Sequence, residues 1–395
     1  MKHQINTLII TIIVAVATVL GVSTFGLPWL NTNSGAIITK DTKEQVIEQR
    51  IEEYSKTSNV ESDITQAIET VWPSVVSIIA TKDLQYYLDD PISYFLGNRP
   101  EVQPKKKVTV KVWGGSGIIV SKDGYVITNK HVVTDSTAAY SIITSDWATY
   151  VVQQMRFDPM LDVAILKIVD AATQEVPTDL TPAPFVSIAS PIRIGQFVVS
   201  IGNALSEYAN TATFGIVSAK NRTLKDQPDA AYVGLYQTDS SINPWNSGGP
   251  LISSNGEIIG MNTAIAQWEG IWFALPLTSE FVQTTLAWVT TGNTIKRPYL
   301  GIESTMLTKA IAKKLNLTKF AGIYVNTIQP ESPAARAGLL SWDIITEINN
   351  KTIQGDMPLL YTLYTYNAED KISLLVYRDK DYKKIEVTLW VLWVK

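Results

Sequence analysis

The chain of 395 residues contains no cysteine and only two histidines, His3 and His131. Without cysteine there are no disulfides, no thiolate catalysis and no cysteine-based zinc site. A metal site that uses several imidazoles is not expected either, and we predict that the protein works without a metal or other cofactor. His3 lies in the N-terminal tail, so catalysis that depends on histidine must use His131.

The sequence also lacks a large excess of either charge: charged residues make up 18% of the chain and the net charge is −4. Binding to nucleic acid depends on basic side chains that neutralise phosphates, so we expect no nucleic-acid partner. Hydrophobic residues make up 46% of the chain, an ordinary share for a globular protein. The length is sufficient for two or three domains.

Charge is absent from residues 8–22, and the apolar character continues through residues 25–30. The shorter run fits the apolar core of a signal peptide, whereas the longer one is sufficient to span a bilayer. Small residues at 34–36 (SGA) offer a cleavage site, so both alternatives stay open. We expect residues 1–30 to form an uncleaved transmembrane helix, followed by a polar helical linker at 31–61.

Short β-rich runs, such as VVSIIA at 75–80 and FVVSIG at 197–202, alternate with turn signals from about residue 74 to 285. This density of strands without helices between them predicts an antiparallel barrel or sandwich, preceded by a short helix that Ser62 caps. The connection at 82–107 is long enough to be a functional or disordered loop. After residue 296, helix-like stretches among strands indicate a second, smaller domain.

Three segments carry residue types used in nucleophilic catalysis. His131 follows a strand and a turn, Asp162 directly precedes a buried strand, and Ser247 lies in the turn NPWNSGG. A serine hydroxyl becomes a nucleophile when an imidazole takes its proton, and a carboxylate holds that imidazole in the useful tautomer. The chain order His–Asp–Ser is that of chymotrypsin-type barrels and not of α/β-hydrolases. Asp158 is an alternative acid.

These segments resemble the HtrA family of trypsin-like serine proteases, and segments of the second domain resemble the PDZ domain of that family. One anchor, one protease domain and one PDZ domain form the layout of its DegS-like branch. The motifs that carry the resemblance are GGSGIIVSKDGYVITNKHVV (114–133), DPMLDVAILKI (158–168), TDSSINPWNSGGPLI (238–252), GIWFALP (270–276), RPYLGI (297–302) and SPAARAGLLSWDIITEINN (332–350).

The resemblance implies a mainly β chain, with a chymotrypsin-like double antiparallel β-barrel at 62–290 and an α+β PDZ domain at 297–395. It further implies a homotrimeric serine endopeptidase, tethered to the bacterial inner membrane with its domains on the extracytoplasmic side. Such an enzyme would cleave unfolded or misfolded proteins in quality control or envelope-stress proteolysis. C-terminal peptides that bind the PDZ domain would gate its activity.

The resemblance also assigns roles to single residues. His131 is the general base, Asp162 orients it, Ser247 is the nucleophile, and the backbone N–H groups of Trp245 and Ser247 form the oxyanion hole. For the remaining matches, the alternative explanations are core packing for the pocket residues, solvation for the sensor and an ordinary strand and turn for the loop. These matches are Ile242 and Ile265 in a substrate pocket for small aliphatic side chains, Arg222 as a regulatory sensor, and Tyr299, Leu300, Gly301 and Ile302 as the carboxylate-binding loop of the PDZ domain.

Trp245 departs from the family because that turn normally carries glycine, and other tryptophans also occupy glycine-type contexts. Glycine makes up 22 of 395 residues, about 5.6%, below an average of roughly 7%. Some bacterial lineages read the UGA codon as glycine, whereas another common reassignment reads it as tryptophan. We therefore hypothesise that several of these positions are glycine in the cell. The candidates are Trp113, Trp147, Trp245, Trp268, Trp272 and Trp342.

A genuine tryptophan at position 245 would favour a function of another class. The protein would then be a catalytically impaired peptide-binding scaffold or chaperone of the same fold. The codons decide which protein is encoded, because TGG at codons 245, 272 and 342 would contradict the glycine hypothesis.

Overall fold

In the computed structural model, the described residues lie between Val60 and Leu392. No helix within them is long and apolar enough to cross a bilayer. The described ranges are 60–86, 106–204, 208–224, 231–263, 270–314, 321–353 and 358–392. Outside them lie the predicted anchor at 1–30, the linker up to residue 59, loop residues 87–105, Ile265 and Trp268.

The first described element is the amphipathic helix α1 (Val60–Val71), which buries Ala67 and Val71 against the barrels. Ser62 lies within this helix and therefore does not cap it, contrary to the prediction. Pro73 follows in a short 3₁₀ helix and prevents the α-helix from continuing.

Six antiparallel strands close into the first barrel in the order β1-β2-β3-β6-β5-β4. Its interior is filled by β-branched and leucine side chains such as Ile78, Ile119 and Leu166. Tyr86 pairs with Lys106, so both ends of the predicted 82–107 loop are in fact strand. The strands are β1 (Val75–Tyr86), β2 (Lys106–Ser121), β3 (Tyr125–Thr128), β4 (Ala139–Ile143), β5 (Thr149–Phe157) and β6 (Ala164–Val169).

The second barrel closes in the same manner, in the order β10-β11-β12-β9-β8-β7, and Val198, Val217 and Leu251 fill its interior. The antiparallel barrel class expected from the strand density is therefore confirmed, twice over. The strands are β7 (Phe197–Ala204), β8 (Tyr208–Leu224), β9 (Tyr232–Thr238), β10 (Pro250–Ser253), β11 (Ile258–Thr263) and β12 (Trp272–Pro276).

Helix α2 (Ser279–Thr290) follows the second barrel, and the hydroxyl of Thr278 caps it by accepting the Phe281 N–H. The C-terminal part forms a sheet in the order β14-β15-β16-β18-β19, with β17 beside β16 and a separate β13-β20 pair. Its elements are β13 (Pro298–Tyr299), β14 (Ile302–Met306), α3 (Lys309–Lys314), β15 (Ile323–Ile328), α4 (Pro333–Arg336), β16 (Ile344–Ile348), β17 (Lys351–Thr352), α5 (Leu359–Leu363), β18 (Lys371–Arg378), β19 (Asp381–Thr388) and β20 (Trp390–Val391).

A buried joint connects this C-terminal part to the barrels. The guanidinium of Arg297 lies between the rings of Phe281 and Tyr364, 4.4 and 4.7 Å from their centroids. Burial raises the pKa of Tyr361 well above its usual value, so its hydroxyl stays protonated. That hydroxyl donates to the Val233 carbonyl of β9 at 2.9 Å. The joint therefore combines cation–π contact with a buried hydrogen bond.

Two of the tryptophans in glycine-type contexts have a left-handed backbone. Trp147 (φ 70°) lies in the β4–β5 hairpin turn and Trp342 (φ 76°) in the turn before β16. Their side chains are 63% and 75% exposed, so little packing compensates for the strain. Trp272 begins a strand and Trp245 lies in a 3₁₀ helix, so the backbone at these two positions is not in the left-handed conformation that favours glycine.

Candidate active site

The first barrel brings His131 and Asp162 together. The short 3₁₀ helix Lys130–Val132 presents His131 after β3, and Asp162 lies two residues before β6. Asp162 Oδ1 accepts the His131 backbone N–H at 3.0 Å, and Oδ2 lies 2.7 Å from His131 Nδ1. A carboxylate only accepts, so Nδ1 carries the proton and Nε2 is left as a base. Asp162 is buried, whereas the imidazole is 41% exposed and within reach of a substrate.

Asp158, the alternative acid, has different partners. Its Oδ1 accepts the backbone N–H groups of Met160 and Leu161 at 2.8 and 2.9 Å. Its Oδ2 accepts Arg297 Nε at 2.6 Å in a fully buried ion pair. Asp158 therefore stabilises the turn before Asp162, and Asp162 is the carboxylate that contacts the imidazole of His131.

Ser247 belongs to the second barrel, in the turn between the 3₁₀ helix Pro244–Asn246 and β10. Gly248 next to it has φ +84°, and a β-carbon there would lie 2.2 Å from the Ser116 carbonyl oxygen. The Gly248 N–H donates to the Asn262 carbonyl of β11 at 3.0 Å. The glycine that follows Ser247 is therefore required by both conformation and space.

Two buried residues that the sequence did not single out, Asn129 and Ser116, join the barrels at this point. Asn129 Nδ2 donates to the Asp162 carbonyl at 3.1 Å and to Thr263 Oγ1 of β11 at 2.9 Å. The Ser116 N–H of β2 donates to the Ser247 carbonyl at 2.8 Å. Both lie inside the quoted motifs, but only their distant partners give them a role.

The predicted oxyanion turn, residues 243–247, binds two of its own N–H groups. Asn243 Oδ1 accepts the N–H groups of Trp245 at 3.0 Å and Asn246 at 3.2 Å. The Trp245 carbonyl accepts the Ser116 hydroxyl at 2.8 Å. A β-carbon on Gly114 would lie 3.3 Å from the indole of Trp245, so the indole lies against β2. The N–H of residue 245 is thus directed at Asn243 Oδ1.

The other predicted residues of the protease part are spread around this turn. Ile242 is buried directly before it, whereas Ile265 lies outside the described residues. Arg222 is exposed, and its Nε donates to Gln237 Oε1 of β9 at 2.9 Å. Within the described ranges, no group of three or more histidine, aspartate and glutamate side chains could hold a metal ion.

The predicted carboxylate-binding loop joins β13 to β14. Leu300 is buried, Gly301 has φ +83°, and the hydroxyl of Tyr299 lies 2.6 Å from Gln329 Oε1. The carbonyls of Leu300 and Gly301 accept N–H groups, but their own N–H groups have no acceptor among the described residues. Ile302 begins β14. The loop therefore presents two adjacent backbone donors beside a strand.

Two sequence profiles match the chain: a trypsin-like peptidase domain at residues 115–261 and a PDZ domain at residues 298–389. A probable periplasmic serine endoprotease, DegP-like, from Marinomonas sp. (strain MWYL1) is 32% identical over 83% of this chain and 71% of its own. The serine protease Do-like HtrA of Lactococcus lactis subsp. cremoris (strain MG1363) is 30% identical over 96% and 93%. The solved structure of the HtrA-type protease AlgW with decapeptide aligns at a TM-score of 0.55 and 28% identity, over 84% of this chain and 99% of that one.

Proposed function

The chain belongs to the HtrA family of trypsin-like serine endoproteases, and we propose that His131, Asp162 and Ser247 are its catalytic triad. The observation that carries the proposal is the pair of hydrogen bonds from His131 to one buried carboxylate, at 3.0 and 2.7 Å. This arrangement leaves Nε2 of the single non-terminal histidine as an exposed base. Protein quality control or envelope-stress proteolysis is the proposed role.

In the proposed reaction Ser247 Oγ attacks the carbonyl carbon of the scissile peptide while His131 Nε2 takes the hydroxyl proton. Asp162 stabilises the imidazolium that forms. The imidazolium returns the proton to the leaving amine as the C–N bond breaks, and an ester remains on Ser247. Water hydrolyses the ester through the same steps, with His131 again as base.

Gating is proposed to act on the oxyanion turn. The tetrahedral intermediate carries a negative oxygen that needs the N–H groups of residues 245 and 247, and loss of one such donor costs about 10²–10³ in rate. The bond from Trp245 to Asn243 must therefore be exchanged for one to the substrate. Arg222 is the proposed relay, because it contacts β9, the strand that leads into this turn.

C-terminal peptides are the proposed ligands of the PDZ domain. The N–H groups of Leu300 and Gly301 would hold the terminal carboxylate while the peptide adds as a strand beside β14. The related AlgW structure, which was solved with a decapeptide, supports peptide binding in this family. Unfolded or misfolded proteins are the proposed substrates, and Ile242 is proposed to line the pocket for a small aliphatic side chain.

A homotrimer is the proposed assembly, and an exposed apolar patch on the second barrel supports it. Ile194, Phe197 and Phe214 are 63%, 42% and 52% exposed, and the two phenylalanine rings lie 5.2 Å apart. Contact with further copies would remove this apolar surface from water. Chemical cross-linking tests this assembly: we expect the unchanged chain to give a cross-linked trimer and Phe197→Glu to abolish it.

Residues 1–30 are proposed to tether the protein to the bacterial inner membrane, with the catalytic and PDZ domains on the extracytoplasmic side. The uncharged run at 8–22 supports this location, as does the word periplasmic in the name of the Marinomonas relative. Retention of the full chain in the membrane fraction, lost on deletion of residues 1–30, tests the tether.

The scaffold or chaperone remains the second candidate because the N–H of Trp245 is engaged with Asn243. A fluorophosphonate probe, which reacts with activated serines, separates the two. We expect labelling of the full chain that Ser247→Ala abolishes and Trp245→Gly increases. Absence of labelling in both the unchanged chain and Trp245→Gly would support the scaffold.

A further inference from the structure

Ser116 makes four hydrogen bonds from a fully buried position in β2, and two of them reach the turn of Ser247. Its N–H donates to the Ser247 carbonyl at 2.8 Å, and its hydroxyl donates to the Trp245 carbonyl at 2.8 Å. Its hydroxyl oxygen accepts the Asn203 N–H of β7 at 2.9 Å, and its carbonyl accepts the Thr128 hydroxyl at 2.7 Å. Ser116 of the first barrel thus binds two carbonyls of the turn at 243–247 in the second barrel.

The direction of the Ser116 hydroxyl proton follows from its partners. The Asn203 N–H can only donate, so the Ser116 oxygen accepts there, and its proton is available for the Trp245 carbonyl, which can only accept. The surroundings leave little freedom, because a β-carbon on Gly249 would lie 3.1 Å from the Ser116 β-carbon. The hydroxyl is therefore held in one orientation by packing and by hydrogen bonds on both sides.

The two carbonyls that Ser116 holds follow the oxyanion donor along the chain, because one is the carbonyl of Trp245 itself and the other is that of Ser247. Ser116 thus holds the carbonyls of Trp245 and Ser247, and among the described residues it makes no hydrogen bond to the segment from Asn243 to the N–H of Trp245. That segment contains the N–H now bonded to Asn243 Oδ1. A local peptide rotation can therefore move this N–H from Asn243 to a substrate oxygen without displacing Ser247.

We propose that the side chain of Ser116 is a positioning residue for the peptidase reaction, acting through the Trp245 carbonyl on the oxyanion donor. The proposal rests on the catalytic roles proposed above for Ser247 and the N–H of residue 245. It predicts that loss of the hydroxyl slows the chemical step while substrate binding is unchanged, because the hydroxyl touches the turn and not the substrate.

Ser77 provides a matched control. It pairs with Ser116 in the β1–β2 register, is equally buried, and donates its hydroxyl to the carbonyl of the same Asn203. In the described part of the chain its hydroxyl makes no bond to the turn at 243–247. Ser77→Ala therefore removes a comparable buried hydrogen bond without releasing the Trp245 carbonyl.

The experiment compares the unchanged full chain with Ser116→Ala and Ser77→Ala, using cleavage of fluorescein-labelled casein and the rate of fluorophosphonate labelling. For Ser116→Ala we expect kcat and the labelling rate to fall roughly tenfold with KM within twofold, since a carbonyl loses its buried partner. For Ser77→Ala we expect kcat and the labelling rate to stay within twofold of those of the unchanged chain. Equal rates in the two variants, whether both reduced or both unchanged, would overturn the proposal.

Hydrogen exchange of the peptide that covers residues 243–249 is a second measurement, independent of activity. Ser116→Ala is expected to accelerate its exchange, and Ser77→Ala is not; equal exchange in both variants refutes the positioning role. If exchange differs as expected but neither the unchanged chain nor Trp245→Gly is labelled, the proposed peptidase function fails while the contact with the turn stands.

Discussion

The two halves of the proposed site differ in how completely they are assembled. On the first barrel, one carboxylate already binds both the backbone and the ring of His131, at 3.0 and 2.7 Å. On the second barrel, the donor expected to bind the oxyanion is occupied by Asn243, a neighbour within its own turn. The proposed base is thus held within one barrel, whereas the proposed oxyanion donor has a competitor inside its own turn. Such a site can be regulated at the turn without disturbing the base.

The largest effect is expected from Asp162→Asn, which removes the carboxylate that binds the backbone and the ring of His131. The amide keeps the shape but favours the wrong imidazole tautomer, so kcat for casein should fall about 10⁴-fold with the fold intact. Steady-state kinetics and circular dichroism measure the two quantities. A fall of less than tenfold would mean that Asp162 does not orient His131.

Asp158→Asn is the control for this substitution, because Asp158 is a buried aspartate of the same turn with a different partner. Loss of its charge leaves Arg297 buried and unpaired, which costs about 3–5 kcal/mol of stability. We therefore expect a stability defect in urea unfolding, in contrast to Asp162→Asn, whose main defect is in rate.

The proposed oxyanion turn on the second barrel is tested by Asn243→Ala, which removes the acceptor that binds the Trp245 N–H. Freed from this competitor, the N–H should bind the oxyanion more often, and activity without added peptide should rise about tenfold or less. Asn243→Asp keeps an acceptor at that position and should leave the rate low. The idea of an internal competitor would be refuted by equal casein cleavage in the two variants.

The smallest effect is expected at Trp147 and Trp342, which have a left-handed backbone, unlike Trp245 in the proposed oxyanion turn. Trp147→Gly and Trp342→Gly should each raise the free energy of unfolding by about 1 kcal/mol, because a left-handed backbone is strained for any residue with a β-carbon. Trp245 lies in a 3₁₀ helix, so Trp245→Gly should bring no such gain. Urea unfolding of the three variants measures this, and a gain at position 245 alone would contradict it.

Much of the fold was accessible from local patterns, because strand periodicity and turn residues act over a few positions. The dense β runs predicted antiparallel barrels, and the structure has two. The extension of β1 and β2 into the predicted 82–107 loop was missed, since Tyr86 and Lys106 are paired across 20 residues and neither segment alternates clearly. Likewise, Ser62 was expected to cap α1 but lies within the helix, whose buried residues pack against the barrels.

The residue types of the site, their order along the chain and the odd placement of tryptophan follow from the linear sequence alone, because they need no knowledge of distant neighbours. The choice between Asp158 and Asp162 does not, since it depends on Arg297, 139 residues from Asp158. The roles of Ser116 and Asn129 also appear only when two barrels close against each other. Hydrogen-bond partners are chosen by distance in space, and in an antiparallel barrel fold that distance is set by strand pairing between remote parts of the chain.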